Sequence, residues 1–322
     1  MIRPCTAQLG ILLMVTAMFC ISLNDMVVKS LAGSYPLHQI VFARTGLGIL
    51  FSIIFLQLEG GFPLLRTTQV GLHIFRALLV VLGNSLFYAA IVAMPLATAN
   101  ALYFVAPLFV TLLSIPVLGE RIGPRRLLAV LVGFAGVLLM LWPQMRGGAD
   151  SVGWIALLPL GAAASYAGMS VLTRKLGQFS RASALAIYLQ AAFLIVSIGF
   201  YLVAGDGRFV GPDTSGPLTF LLRAWVWPAS GDIVPMMGLG LLSAIIGYSM
   251  SQAYRIASAA VVAPFEYVLL IFALFWGYTI FGEWPVPEVL MGAAIIIAAG
   301  VYVFWRENRP GPAPRPRHRD RG

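Results

Sequence analysis

Apolar residues run through this chain in long stretches that hold few charges, and a helix needs about 20 such residues to cross a hydrocarbon core. The pattern predicts ten helices, at 8–31, 36–58, 69–93, 96–118, 125–143, 152–174, 182–205, 233–254, 259–282 and 286–305. Pro36, Gly60, Gly61, Pro95, Gly123, Pro124, Gly147, Gly148 and Pro285 punctuate the joins. Most joins are short, which favours antiparallel neighbours. The long exception is 205–232. Its apolar run 218–228 is too short to span, and Trp225 and Trp227 suit the headgroup level, so it reads as a segment lying along the interface. Arg3 before an apolar run imitates a secretory leader. The run continues from Leu9 to Leu31 without a small-x-small cleavage site, so it is expected to be a retained first helix.

Composition sharpens this picture. Of 322 residues, 60% are hydrophobic and 10% charged, with mean hydropathy +0.90; a soluble domain carries roughly 25% charged residues. So few charges cannot cover a water-facing surface, and an all-α integral membrane protein is expected. With the N-terminus cytoplasmic, fifteen Lys and Arg fall in inside segments and four (Lys29, Arg146, Arg208, Arg223) outside. Without the six arginines of the tail the ratio is still nine to four. Positive charge stays on the cytoplasmic side, so both termini are expected there. The tail, 306–322, carries much of the net charge of +9 and four prolines. It reads as a disordered topogenic segment near anionic lipid, with no nucleic-acid role required.

The chain also repeats itself. Gly119, Glu120 and Pro124 recur 163 residues later as Gly282, Glu283 and Pro287, and each Gly-Glu follows the fourth helix of a five-helix half. An odd number of helices per half inverts the second half, and loop charge agrees. Arg121, Arg125 and Arg126 follow Glu120, whereas Trp284, Pro285, Pro287 and Glu288 follow Glu283. The expected fold is ten transmembrane helices as two inverted five-helix repeats, 1–147 and 148–305, the second carrying the outer loop 205–232.

These residues carry a resemblance. The stretch from Ala263 through Pro264, Phe265, Glu266 and Tyr267 to Gly282 and Glu283, with Asp25 to Lys29 and Phe42 to Arg44, resembles the EamA-type branch of the drug/metabolite transporter superfamily over about 8–305. One bacterial subset with these features is similar to transporters of S-adenosylmethionine, riboflavin and other metabolites. The resemblance implies a secondary transporter with a central cavity, and leaves the solute open among riboflavin-, S-adenosylmethionine- and amino-acid-like compounds.

Ionisable groups within spanning helices are costly and usually face a cavity or a partner. Asp25, Arg44, Arg76 and Glu266 are such groups, and Lys29 lies one turn beyond Asp25 on the same face. Asp25 and Arg44 sit ~9 Å and ~12 Å below the outer helix ends. Their depths permit an ion pair, either as a cavity wall or as a static inter-helix tie. Arg76 lies close enough to the inner end to snorkel to the headgroups. Glu266, beside Pro264, sits where a proline frees a carbonyl and kinks the helix. It suits a cationic or hydrogen-bonding solute, a coupling proton, or a structural bond.

Amides and phenols that can orient a ligand are Asn24, Gln39, Asn84, Tyr88, Asn100, Tyr103, Tyr166, Tyr188, Gln190, Tyr248, Gln252 and Tyr254. The candidate solute site is drawn from Asp25, Lys29, Gln39, Arg44, Asn84, Tyr88, Tyr103, Tyr166, Tyr248, Gln252, Glu266 and Tyr267. Cys5, Cys20, His38, His73 and His318 show no metal or redox spacing. No phosphate-binding Gly-Lys or Gly-x-Ser-x-Gly motif occurs, so neither a metal nor another cofactor is expected. The expectation is a secondary transporter that moves a small polar or amphipathic metabolite across a cell inner membrane by alternating access. A membrane enzyme or a non-transporting scaffold is the alternative.

Overall fold

The computed structural model describes residues 4–119, 124–146, 154–176, 182–211, 214, 216–256 and 263–307. Glu120 and nearly all of the basic tail lie outside these. The helices are α1 Pro4–Leu31, α2 Leu37–Glu59, α3 Val70–Ala93, α4 Leu96–Tyr103, α5 Ala106–Leu118, α6 Pro124–Arg146, α7 Leu157–Leu176, α8 Ala182–Ala204, α9 Gly216–Leu222, α10 Ser230–Ile256, α11 Val268–Phe281 and α12 Pro287–Glu307. A 3-10 turn, Ala263–Tyr267, leads into α11. No strand occurs among the described residues.

Among the described residues, six segments are long and apolar enough to cross a membrane: Gln8–Leu31, Leu37–Leu58, Val70–Ala93, Leu96–Leu118, Ala184–Ala204 and Ser230–Met250. Leu127–Trp142, Leu157–Thr173, Phe265–Phe281 and Pro287–Tyr302 are shorter apolar helices. The outward faces are aliphatic: Leu58, Ile195, Leu202 and Val234 are 78, 68, 72 and 76% exposed. Such a surface is stable against lipid and not against water.

Two expected continuous spans are interrupted. Pro107 has no N–H for the carbonyl of Tyr103, four residues back, so α4 ends there. Phe104 and Val105 turn in tight geometry (φ −65°, ψ 0° and φ −69°, ψ −13°) before α5 begins. In the second case Ala263–Tyr267 winds as a 3-10 turn ahead of α11. Both interrupted rods end alike. Gly119 (φ 71°, ψ 19°) and Gly282 (φ 64°, ψ 20°) are left-handed C-caps, a conformation that other residues adopt only with strain.

Packing is pairwise. The principal seams are α6 on α12, α1 on α10, α3 on α7 and α2 on α8. α5 packs on α7, α11 on α1, α10 on α2 and α3 on α8. The α6–α12 seam is close: a side-chain carbon added at Gly136 would lie 2.9 Å from the carbonyl oxygen of Gly292. Phe19 of α1 meets Phe272 and Trp276 of α11 at ring-centroid distances of 5.3 and 6.2 Å.

The described residues of the 205–232 segment form a cap over the end of the bundle where Lys29 lies. Trp225 packs against Tyr201, Phe42 and His38 at 4.6, 5.3 and 5.8 Å. Trp227 points outward, 93% exposed. Gln39 holds the cap through both halves of its amide: Nε2 donates to the carbonyl of Val226 at 2.6 Å, and Oε1 accepts from its N–H at 3.3 Å. Tyr35 donates to Asp232 at 2.7 Å and accepts from the N–H of Ala229 at 2.9 Å.

Candidate functional site

The polar residues of α1 to α4 converge in the bundle interior. Asn24 and Asp25 are buried on α1, and Tyr88 is buried on α3. Asn24 Nδ2 donates to the Tyr88 hydroxyl at 2.7 Å and to Asp25 Oδ1 at 3.3 Å. Arg44 Nη1 donates to the same hydroxyl at 3.1 Å. The guanidinium also stands 5.9 Å from the Tyr88 ring centroid and 5.5 Å from that of Phe193, within cation–π range. Asp25 and Arg44 are therefore linked through Asn24 and Tyr88. The direct ion pair that their depths permitted is not formed, because the phenol occupies the space between their helices.

Aromatic rings continue this cluster. Tyr103, at the end of α4, lies 5.0 Å from Phe87 and 5.7 Å from Tyr166. It is within electrostatic reach of Asp25, Tyr88, Tyr166 and Glu266. Glu266 also acts on Tyr166 and Tyr267, and Tyr267 meets Phe104 at 5.0 Å. The interruption at Phe104–Val105 and the 3-10 turn at Ala263–Tyr267 bring these groups inward. Of the candidates, the structure thus gathers Asp25, Arg44, Tyr88, Tyr103, Tyr166, Glu266 and Tyr267.

The others lie elsewhere. Asn84 lines a neighbouring recess between α2, α3 and α8 beneath α9, with His38, Ser85, Phe193, Ser197 and Phe200 among its walls. Phe193 is shared by this recess and the Arg44 cluster. Gln39 is held by the cap, Tyr248 is 48% exposed and Gln252 is half-buried on α10. Lys29 is engaged at the bundle end. Its Nζ lies 2.6 and 2.8 Å from the two carboxylate oxygens of Glu283 and 3.0 Å from the carbonyl of Met94. Glu283 Oε2 also accepts from the N–H of Leu96 at 3.1 Å. This knot joins α1 to the α3–α4 and α11–α12 joins.

Arg76 corrects an expectation. It does not snorkel; it is 6% exposed, with Nε donating to Thr173 Oγ1 at 2.7 Å and Nη1 to the carbonyl of Leu185 at 3.4 Å. Facing partners on α7 and α8 hold it inside. Phe87 and Phe193 stand against this cluster, and the sequence did not mark them, since an aromatic ring within an apolar run carries no signal of its own. No group of His, Cys, Asp and Glu among the described residues is placed to hold a metal ion.

Residues 8–142 match the EamA-like transporter family. A riboflavin transporter of Rhizobium johnstonii is 31% identical over 310 residues, 96% of this chain and 95% of that protein. A riboflavin transporter of Vibrio cholerae is 28% identical over 93% of this chain and 94% of its own. An S-adenosylmethionine uptake transporter of Rickettsia prowazekii is 24% identical over 89% of this chain and 90% of its own. A protein of known crystal structure, 18% identical, superposes with a TM-score of 0.59 over 92% of this chain and 96% of its own, and so shares the fold. With apolar membrane-length helices, an interior polar cluster and relatives along its whole length, the chain belongs to the EamA-like transporter family of the drug/metabolite transporter superfamily, as a membrane transporter of small metabolites and not an enzyme.

Proposed function

We propose that ten helices span the membrane as two inverted five-helix halves, 1–147 and 148–305, and that a flat, nitrogen-rich metabolite of the riboflavin or S-adenosylmethionine kind crosses at their interface by alternating access. The observation that carries this reading is the packing pattern. Pairing the halves span by span relates α1 to α7, α2 to α8, α3 to α10, α4–α5 to the Ala263–Tyr267 turn with α11, and α6 to α12. Under that exchange the α1–α10 seam becomes α7–α3, α5–α7 becomes α11–α1, α10–α2 becomes α3–α8, and α2–α8 and α6–α12 map onto themselves. The interruptions of the two fourth helices and their glycine caps fall at the same places in each half.

The solute site is assigned to the interior cluster. Tyr103, Tyr166, Tyr267 and Phe193 offer ring faces, Arg44 a cation, and Asp25 and Glu266 carboxylates. Such a box suits a planar heterocycle bearing both donors and acceptors. The Lys29–Glu283 knot closes the outer end, and Lys29 serves the gate in place of the solute. The protein sits in a cell inner membrane with both termini in the cytoplasm.

Counterflow in proteoliposomes tests the reading. Unlabelled riboflavin inside should drive transient uptake of labelled riboflavin, and S-adenosylmethionine is the second solute to compare. Monodisperse, lipid-reconstituted protein that exchanges neither solute would overturn the assigned substrate class.

A further inference from the structure

The recess beside the interior cluster carries polar groups that the fold does not use. Asn84 and Ser85 of α3 and Ser197 of α8 line it, and Ser197 is 2% exposed. Hydroxyls within other helices return their proton to the carbonyl four residues back: Thr16 to Leu12, Ser52 to Gly48 and Ser243 to Leu239, at 2.9, 3.0 and 2.9 Å. Ser85 and Ser197 make no such bond, and neither they nor the Asn84 amide has a hydrogen-bond partner among the described residues. Polar groups shut away from water are otherwise satisfied. The rest of the wall is aliphatic and aromatic, closed above by Leu221 of α9. Apolar walls with a few placed polar groups are the usual build of a small-molecule site.

Recess and cluster lie one helical turn apart on three helices. Tyr88 is four residues after Asn84 on α3, Ser197 four after Phe193 on α8, and Arg44 three after Val41 on α2. Residues so spaced share a helix face, and Phe193 belongs to both places. A group passing from one to the other covers about 5.4 Å, the rise of one turn and the reach of a short carbon chain. Fixed charge is absent on the recess side: no Lys, Arg, Asp or Glu lines it. His38 does line it, with Nδ1 donating to the carbonyl of Leu221 at 3.1 Å. Its Nε2 is buried without a partner among the described residues, where a second proton would be a charge with no counter-ion.

We propose that this recess binds a hydroxylated, uncharged arm of the solute while the solute's ring system lies against Phe193 and the tyrosines of the cluster. The assignment rests on the proposed transport function and narrows its solute to a planar heterocycle that bears a neutral polyol chain. A hydroxyl both donates and accepts, and so do Asn84, Ser85 and Ser197, so each can pair with an arm hydroxyl in either sense. An arm that ends in a phosphate, or in the ammonium and carboxylate of an amino acid, would bury its charge there unpaired, at a cost that hydroxyls escape. Riboflavin meets this requirement through its ribityl chain, and S-adenosylmethionine does not.

Titration of the full chain in lipid with flavins, followed by flavin fluorescence, tests the arm apart from the ring. Lumiflavin, which has a methyl group in place of the chain, should bind about tenfold more weakly than riboflavin or worse, since it forgoes several hydrogen bonds. Riboflavin phosphate, and S-adenosylmethionine as a competitor, should also be weaker by about tenfold or more. Ser197→Ala and Asn84→Leu should each weaken riboflavin about threefold to tenfold, the worth of one neutral hydrogen bond, and leave lumiflavin unchanged. Ser197→Ala removes one oxygen that the fold does not bond, and it decides the matter if Asn84→Leu does not fold. Riboflavin and lumiflavin bound equally tightly, or riboflavin undiminished in Ser197→Ala, overturns the recess and keeps the ring site. Riboflavin phosphate or S-adenosylmethionine bound as tightly as riboflavin overturns the neutral arm. A wild type that binds neither flavin removes the solute class itself, and the recess with it.

Discussion

The rings of Phe104 and Tyr267 meet with centroids 5.0 Å apart and planes at 48°, although 163 residues separate them, the same offset that separates Gly119 from Gly282. Each follows or closes the irregular turn in the fourth helix of its half. In the proposed repeat they are equivalent residues, and equivalent residues touch only near the axis that relates the halves. A double-mutant cycle of Phe104→Ala and Tyr267→Ala in thermal denaturation should give a coupling of about 0.5–1.5 kcal/mol, the usual worth of an aromatic pair beyond its area. Strict additivity would mean that the two turns do not meet in the populated state.

The α6–α12 seam supports a second prediction. A carbon added at Gly292 would sit 2.5 Å from the carbonyl oxygen of Gly136, and a backbone atom cannot step aside. Gly292→Ala should therefore cost about 1–3 kcal/mol, as overpacking does. Gly238→Ala, where nothing lies within 4 Å, should be close to neutral. Equal melting temperatures for the two variants would remove this seam from the fold.

Much of the architecture was legible because lipid imposes a simple rule on it. Residues 36–58 and 69–93 were expected as helices and are found at Leu37–Glu59 and Val70–Ala93. The interruption at Phe104–Val105 was not expected, although Pro107 signals it through the N–H it lacks. Arg76 was misplaced because depth alone cannot tell a headgroup from a buried Thr173. Lys29 and Glu283 were each noticed, but 254 residues separate them, and no local pattern announces such a partner. The same holds for Gln39 and Val226, whose bond ties the long loop to α2.

The Lys29–Glu283 knot should behave as a closure. Its side chains are 10 and 25% exposed, between the surface pairs worth under about 1 kcal/mol and the buried pairs whose rupture costs about 3–5. Glu283→Gln is expected to cost about 1–3 kcal/mol and to raise the labelling rate of a cysteine placed at Asn100 by an impermeant outside reagent. The exchange Lys29→Glu with Glu283→Lys should recover part of both losses. Labelling that stays at the wild-type rate in Glu283→Gln would leave the pair a static tie.

Topology yields a fourth prediction. The cap at 205–232 and the Lys29 end share one side of the bundle, and the proposed orientation puts that side outside. A reporter active only outside the cytoplasm should give signal when inserted at Asp206 and be silent when fused after Glu307. The opposite result would turn the protein over while leaving its helices in place.

Glu266 carries the last prediction. It stands in the 3-10 turn before α11, where it acts on Tyr103, Tyr166 and Tyr267 at once. Tyr103 belongs to the first half and Tyr166 and Tyr267 to the second, so a carboxylate here acts on both sides of the proposed interface. Glu266→Gln keeps the size and most of the hydrogen bonding, so stability should change by no more than about 0.5 kcal/mol, as for substitutions that make no cavity and strand no charge. If the charge orients the solute, the transport analogue of kcat/KM should fall about tenfold or more, equivalent to about 1.4 kcal/mol. A loss confined to KM would mark a contact made equally throughout the cycle, and a matching loss in maximal rate one made only in the moving state. The decisive comparison is counterflow of labelled riboflavin by wild type and Glu266→Gln at matched expression. Identical kinetics across pH would take Glu266 out of the site and leave Asp25 and Arg44 as its charged members.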